Sequence, residues 1–581
     1  MTVQRHAPAR RGRALAAGLC LGLALTGCVQ VPTSSPVGTS EPTARSGDKE
    51  QAPLYRPPAP SEGADAGEIV RGFLAAGVGP QDDYAVAREY LTAQARRSWD
   101  PGKRTVVYSA QPTVTQADEK GQYVVQVEVD SIVDEHGVRT VMPAGTTEAW
   151  QVEVTEVDGQ KRVSSTEDGT LLSATQFTAI YAPHNLYFFD QTMTYAVPDV
   201  RWFINRGTTA GAVMQALLEG PSEPLRGAVV SAFPPGAPAG LTRPSVPVSA
   251  GTAEVDLTGQ TVEGADPARL ARMRQQIELT LTGLGTVEEV DITIEHDPLG
   301  VQGSRERAPE VETELVNDSV QVGVSKDDSS LMFFQGLTVT PVGGLPEVSE
   351  LAPVDPTMNR SRTDFAFLTE DRDELYVATT EGTLERTVEG ESLTSPSIDG
   401  LDWVWTADTG ADSQVRAVPP AASEKNQPRV ISTPWLDSGE QIVDLRVAPD
   451  GARAALLIDD GEKTRLVVAG VVRGTDGVPS ALTEPEERPT TVPMTQVRWV
   501  DGVTLVVADT AESAQDEVEP EVVSLDGTRR VLTPLLGMTD ISVGGSGGFY
   551  AETKDGVSLL VGSSWRSQDV PHPIRDISSP G

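Results

Sequence analysis

The spacing of apolar positions changes several times along the chain. Across residues 65–99 it is helical. Ile69, Val70, Phe73 and Leu74 share one face, and after residues 77–80 Val86, Ala87, Tyr90 and Leu91 share another. Asp82 or Asp83 is the expected cap of that second helix. The period then falls to two in residues 105–108, 123–129 and 150–154, as in a sheet with one covered face. Helical spacing returns where Thr208-Thr209 opens a segment carrying Val213, Met214, Leu217 and Leu218, closed by Gly220-Pro221. Residues 253–257 alternate. Asp266-Pro267 then supplies a capping carboxylate and a proline for the first helical position. The helix so started places Leu270, Met273, Ile277 and Leu281 together and leads to a strand over 290–294.

From about residue 316 the helical period disappears. Strand–turn–strand units begin near Val320, Asp364, Leu401, Val443, Gln496 and Asp540. Asp450-Gly451 and Asp501-Gly502 sit between apolar alternations, the signature of tight hairpins. Recurrence at roughly 40–45 residues predicts propeller blades, and six units are visible.

The N-terminus has a different pattern. Arg5, Arg10, Arg11 and Arg13 precede an apolar run over residues 14–25, and no acid occurs before Glu41. A basic region, a short apolar core and small residues form a secretory signal, too short to span a bilayer. Leu25-Thr26-Gly27-Cys28 resembles the bacterial lipobox. That resemblance implies cleavage between Gly27 and Cys28, with diacylglycerol on the Cys28 sulfur and an acyl group on its new amine. Two acyl chains pass the threshold for stable anchoring. Residues 29–63, rich in Pro, Ser, Thr, Gly and Ala, read as a tether reaching roughly 30–35 Å as a flexible coil.

The 581 residues carry 84 acids against 46 Lys and Arg, a net charge of −38. Such a chain repels phosphate backbones, which argues against nucleic-acid partners. Its two cysteines, Cys20 and Cys28, both lie at the N-terminus, so the body holds no thiol chemistry or disulfide framework. Histidines occur at 6, 136, 184, 296 and 572, too dispersed for a paired metal motif, and structural roles are expected for them. Gly544-Gly545-Ser546-Gly547-Gly548 matches a nucleophile elbow by letters, but a strand rather than a helix is expected after it. The acidic runs 371–374 and 459–462 lack the remaining ligands of a calcium loop and read as solvated turns. Gly283-Leu284-Gly285 follows a helix, which excludes a dinucleotide loop. Trp403, Trp405 and Trp499 could offer sugar platforms, although packing between blades is the expected use. No catalytic residue, metal ligand or cofactor site is expected.

The segments assemble into a multidomain chain. Residues 1–27 are the signal peptide and 28–63 the lipidated cysteine with its tether. Residues 64–175 resemble an NTF2-like α+β domain. Residues 190–300 resemble the GerMN domain, a small α/β module, through Leu217-Leu218-Glu219-Gly220-Pro221, Pro234-Pro235-Gly236, Val255-Asp256-Leu257 and the helix near 267–282. Residues 316–581 form the all-β propeller. This order, with Tyr187-Phe188-Phe189-Asp190 and Val197-Pro198-Asp199-Val200-Arg201-Trp202, resembles the LpqB family of actinobacterial lipoproteins. The resemblance implies a non-enzymatic protein on the extracytoplasmic face of the cell membrane. It also implies contact with the sensor histidine kinase of an MtrA–MtrB-type two-component system. The alternative is a cell-wall or carbohydrate-binding protein using the propeller's central face.

Overall fold

The computed structural model describes residues 57–581 apart from 118–119, 235–239, 300–307, 314–318, 411–412 and 421–426. Helix α1 (Ala66–Ala76) opens on a full capping box between Asp65 and Glu68 and buries Ile69, Val70 and Phe73. The next helix departs from expectation. Asp82, Asp83 and Tyr84 all adopt positive φ, and neither aspartate caps. The turn swings Tyr84 inward, 6.0 Å edge-to-face from Trp99. Asp83 instead pairs with Arg88 at 2.8 Å. Burial of a large aromatic outweighs the capping bond, so α2 (Ala85–Glu89) and α3 (Ala95–Ser98) are short.

The first sheet contains β1 (Arg104–Gln116), β2 (Gln122–Asp134), β3 (Arg139–Val141), β4 (Thr147–Val157), β5 (Gln160–Ser165) and β6 (Thr170–Ser173). Its order is β5-β4-β2-β1-β6, with β3 also beside β2. Val125, Val127, Trp150 and Val152 point to the helix side, as the alternation predicts. The Pro-rich segment ahead of α1 lies on this domain, with Pro57 buried and the Pro58 carbonyl accepting the Tyr90 hydroxyl at 2.9 Å.

After α4 (Ala174–Ile180), β7 (Tyr181–Asp190) and β8 (Ala196–Ile204) form a hairpin that begins the middle domain. Helix α5 (Thr209–Glu219) and β9 (Val229–Val230) follow, and β9 adds to the edge of β7. A second sheet contains β10 (Val248–Ser249), β11 (Thr252–Leu257), β12 (Glu289–Ile294) and β13 (Asp297–Pro298). Helix α6 (Pro267–Thr282) joins the parallel strands β11 and β12. It starts on the Asp266 carboxylate, as predicted, and buries Met273, Ile277 and Leu281.

Among the described residues, six sheets make the propeller, led by inner strands Val354–Met358, Ser397–Ile398, Gln441–Val447, Gln496–Asp501, Met538–Gly544 and Ile574–Ser578. Neighbouring inner strands meet all around the ring. Ile574–Ser578 pairs with Gln321–Ser325, so the C-terminal strand completes the blade that the N-terminal strands begin.

The three modules are packed together at Trp202. This β8 side chain sits 4.7 Å from the Phe177 ring of α4 and beneath the Arg139 guanidinium of β3. Its indole N–H donates to the Asp526 carbonyl of the propeller at 2.9 Å. Tyr195 donates to the Gly400 carbonyl at 2.8 Å, and Thr483 to the Pro224 carbonyl at 2.8 Å. Two glycines permit the close approach. A Cβ on Gly470 would sit 2.7 Å from the Ala228 methyl, and one on Gly400 would sit 2.6 Å from the Tyr195 ring.

Candidate docking groove and propeller axis

Two regions concentrate unusual side chains. The first is a groove of about 1260 Å³ in the middle domain, between α5, the β9 segment and the start of α6. Leu218, Val229, Val230, Phe233 and Leu241 give it an apolar floor. Gly220 ends α5 with φ 104°, turning the chain away so that Pro221 forms part of the rim. Met193, held at φ 57° at the tip of the β7–β8 hairpin, remains 38% exposed on the same rim. The tip is stabilised by the Asp190 carboxylate, which accepts the backbone N–H groups of Thr192, Thr194 and Tyr195.

Arg269 and Arg272 enter from the first turns of α6. The Arg269 Nε donates to the Ala232 carbonyl at 2.8 Å. Arg272 is 7% exposed, lies 5.1 Å over the Phe189 ring, and donates to Gln275 and the Pro309 carbonyl. Burial pulls its pKa below the ordinary guanidinium value, opposed by the charge of Asp190. Glu219, the acid among the lining residues, is held by Gln215 and by His136 of the first domain at 2.9 Å.

The second region is the propeller axis, where inner strands present Asp355, Asp444, Arg446, Arg498, Asp540 and Asp576. Arg498 bridges Asp444 and Asp540, each at 2.9 Å. Arg446 donates to the carbonyls of Ser395 and Pro396 and lies 3.6 Å from Asp444. Burial, then Arg498, pulls the Arg446 guanidinium down to about 10. Burial pushes the Asp540 carboxyl up to about 6 against the pull of Arg498. Burial and the charges of Asp540 and Asp576 push Glu552 up to about 8. Its two oxygens accept the backbone N–H groups of Ile577 and Asp576 at 2.6 and 3.0 Å, tying the closing strand to its neighbour.

The described histidines remain far from one another. His136 meets Glu219, His296 meets Asp256 at 2.8 Å, and the His184 ring stacks near Phe203. Residues 544–548 form a short turn between the antiparallel strands Met538–Gly544 and Gly548–Thr553, without the helix of an elbow. In the 459–462 run, Asp459 and Asp460 accept backbone N–H groups of their own turn. No cluster suited to a metal ion occurs among the described residues.

The tryptophans pack within the blades. Trp405 is fully buried, with its indole on Asp399 at 2.7 Å and Arg473 above the ring. Trp403 and Trp499 are nearly buried, and Trp499 lies under Arg453. None offers an open face for a sugar. Gly27 and Cys28 lie outside the described residues. No described helix is long and apolar enough to cross a membrane.

Residue composition alone did not reveal the groove, because its apolar and cationic residues come from six separated segments. The pair Arg269 and Arg272, three apart near the start of a helix, was the available signal.

Three family models match the chain. "Lipoprotein LpqB, N-terminal domain" matches residues 59–178, "Sporulation and spore germination" residues 185–300, and "Lipoprotein LpqB beta-propeller domain" residues 329–572. The chain is similar to Lipoprotein LpqB of Thermobifida fusca, with 25% identity covering 90% of each chain. It is 28% identical to Lipoprotein LpqB of Streptomyces coelicolor, covering 87% of this chain and 86% of the relative. Among solved structures, TolB from Acinetobacter baumannii aligns over 45% of this chain and 66% of its own, with 13% identity and a TM-score of 0.33.

Proposed function

We propose that this chain, which belongs to the LpqB lipoprotein family, is a non-catalytic docking scaffold for an envelope sensor histidine kinase of MtrB type. Lipid on Cys28, exposed by cleavage after Gly27, anchors it to the extracytoplasmic face of the cell membrane. It there binds the extracytoplasmic part of the kinase and modulates its signalling. The observation that supports this most is the junction at Trp202, where all three modules meet in one packed body. A rigid body presents its surfaces in fixed relation, and anchoring raises its effective concentration toward a membrane partner.

The test is crosslinking in intact membranes followed by purification of the full chain, comparing wild type with Cys28→Ser. Wild type is expected to bring down the kinase and to change its phosphorylation, and Cys28→Ser to lose both. Wild type that neither crosslinks to the kinase nor alters its phosphorylation overturns the proposal.

A further inference from the structure

Five arginines are buried among the described residues: Arg201, Arg272, Arg446, Arg453 and Arg473. Four have a carboxylate within 4 Å, supplied by Asp199, Asp444, Asp450 and Asp399 respectively. Arg272 has none. It hydrogen-bonds to neutral oxygens and covers an aromatic ring. Asp190, whose charge favours the cation, uses its oxygens on the hairpin backbone. One turn earlier, Arg269 is also without a carboxylate partner among the described residues and uses its Nε on a carbonyl. The chain carries 84 acids, so the lack of a partner at this place does not reflect a shortage of them. A covered guanidinium is costly to leave without a counter-charge. Both arginines face the groove.

We propose that the groove receives an extended acidic and apolar peptide segment of the partner protein. Its carboxylates would pair with Arg269 and Arg272 in the fork geometry that guanidinium favours. Its apolar side chains would lie on Leu218, Val229, Val230 and Phe233. The groove exceeds the roughly 300–1000 Å³ usual for small-molecule pockets. One observation favours a peptide over an anionic lipid. Strand β9 lines the groove at the edge of its sheet, where an extended backbone can add hydrogen bonds that an acyl chain cannot. Charge complementarity is local: elsewhere the chain is strongly acidic and repels such a peptide. The inference rests on the scaffold reading above and specifies which surface docks and what chemistry it selects.

The test uses the full-length lipoprotein in detergent and a short fluorescent peptide alternating leucine and glutamate, with a leucine–lysine peptide as control. Saturable binding of the acidic peptide is expected, weakened roughly tenfold or more in Arg269→Gln/Arg272→Gln. Arg269→Gln alone, at a half-exposed position, keeps the test valid should the double variant fail to fold. Leu218→Gln probes the floor without changing charge and is expected to weaken binding as well. Equal binding of the lysine peptide, unchanged binding in both arginine variants, or preferential occupation by dihexanoyl phosphatidylglycerol overturns the proposal. Kinase crosslinking separates it from the broader reading. Crosslinking that is equal for wild type and Arg269→Gln overturns the groove assignment alone. Capture of the acidic peptide without kinase crosslinking upholds the groove and overturns the kinase assignment.

Discussion

The propeller axis and the middle-domain groove both cover arginine, but they balance its charge differently. At the axis Arg498 sits between Asp444 and Asp540, and Arg446 adds two backbone carbonyls to its contact with Asp444. The guanidinium charges there are paired with carboxylates of the fold itself, although the buried Nε of Arg498 has no hydrogen-bond partner among the described residues. In the groove, Arg272 meets neutral oxygens and a ring, and no carboxylate among the described residues pairs with it. Buried pairs contribute little net stability but are strongly destabilising to break. An internal pair therefore marks a place where the fold depends on charge. A covered charge without a pair marks a place where charge is available to something else.

The largest predicted effect breaks the axis side of this comparison. Arg498→Ala leaves Asp444 and Asp540 facing a void, with no bridging cation between them. Loss of one partner from a buried network costs about 3–5 kcal/mol. Chemical denaturation followed by tryptophan fluorescence should show the propeller transition moving to much lower denaturant. A shift under about 1 kcal/mol would mean that solvent reaches the axis and screens these charges.

Truncation at the junction between the regions comes next. Trp202→Ala removes a large covered side chain and its bond to the Asp526 carbonyl, at a cost of roughly 3–5 kcal/mol shared among three modules. Calorimetry should resolve the first two domains from the propeller as separate transitions, since cooperativity between domains depends on such packing.

A pH titration separates the regions by sign. Glu552 and Asp540 titrate above their ordinary values, to about 8 and about 6, so folding favours their protonated forms. Between about 4.5 and 8 the folded state binds the Glu552 proton more tightly than the unfolded chain, and stability falls as pH rises. Asp256 of the middle domain behaves oppositely. Burial alone would raise it, but the Thr242 and Thr293 hydroxyls and the His296 N–H hold it at about 2. Its contribution is present above its ordinary 3.8 and is lost as pH falls toward 2. Melts from pH 5 to 9 should show the propeller weakening with rising pH, and Glu552→Gln should flatten that slope. A slope unchanged by the substitution would place the titration elsewhere.

Much of the fold was legible because periodicity and turn chemistry agreed. The Asp266-Pro267 start, the alternation around Trp150 and the Asp-Gly hairpins appear where local rules place them. Legibility failed where tertiary burial overrode a local preference. Tyr84 forced three left-handed residues through what reads as a helix cap. The inner strand Val354–Met358 carries Pro356, a left-handed Asp355 and an irregular register with its neighbour, so it does not alternate, and the unit near Asp364 begins at the second strand of its blade. Closure by Ile574–Ser578 pairs residues at opposite ends of the propeller, which no local pattern encodes. The groove was invisible for the same reason. Arg269 and Arg272 read as an ordinary polar helix face until the fold placed the β9 segment opposite them.

The smallest predicted stability effect bears most directly on the contrast between the two regions. Arg272→Met keeps an unbranched side chain over Phe189 and strands no carboxylate, because none among the described residues is paired with Arg272. The loss is confined to charge-assisted hydrogen bonds to Gln275 and the Pro309 carbonyl, each worth about 1.5–3 kcal/mol. Relief of the desolvated charge offsets part of that. The stability of the middle domain should therefore fall by about 1–2 kcal/mol, less than for Arg498→Ala. Binding of the acidic peptide should fall sharply in the same protein. A stability loss as large as that at the axis would assign Arg272 to the fold, and the groove would lose its free charge. A small stability loss together with a large binding loss is the combination expected of a charge held for a partner.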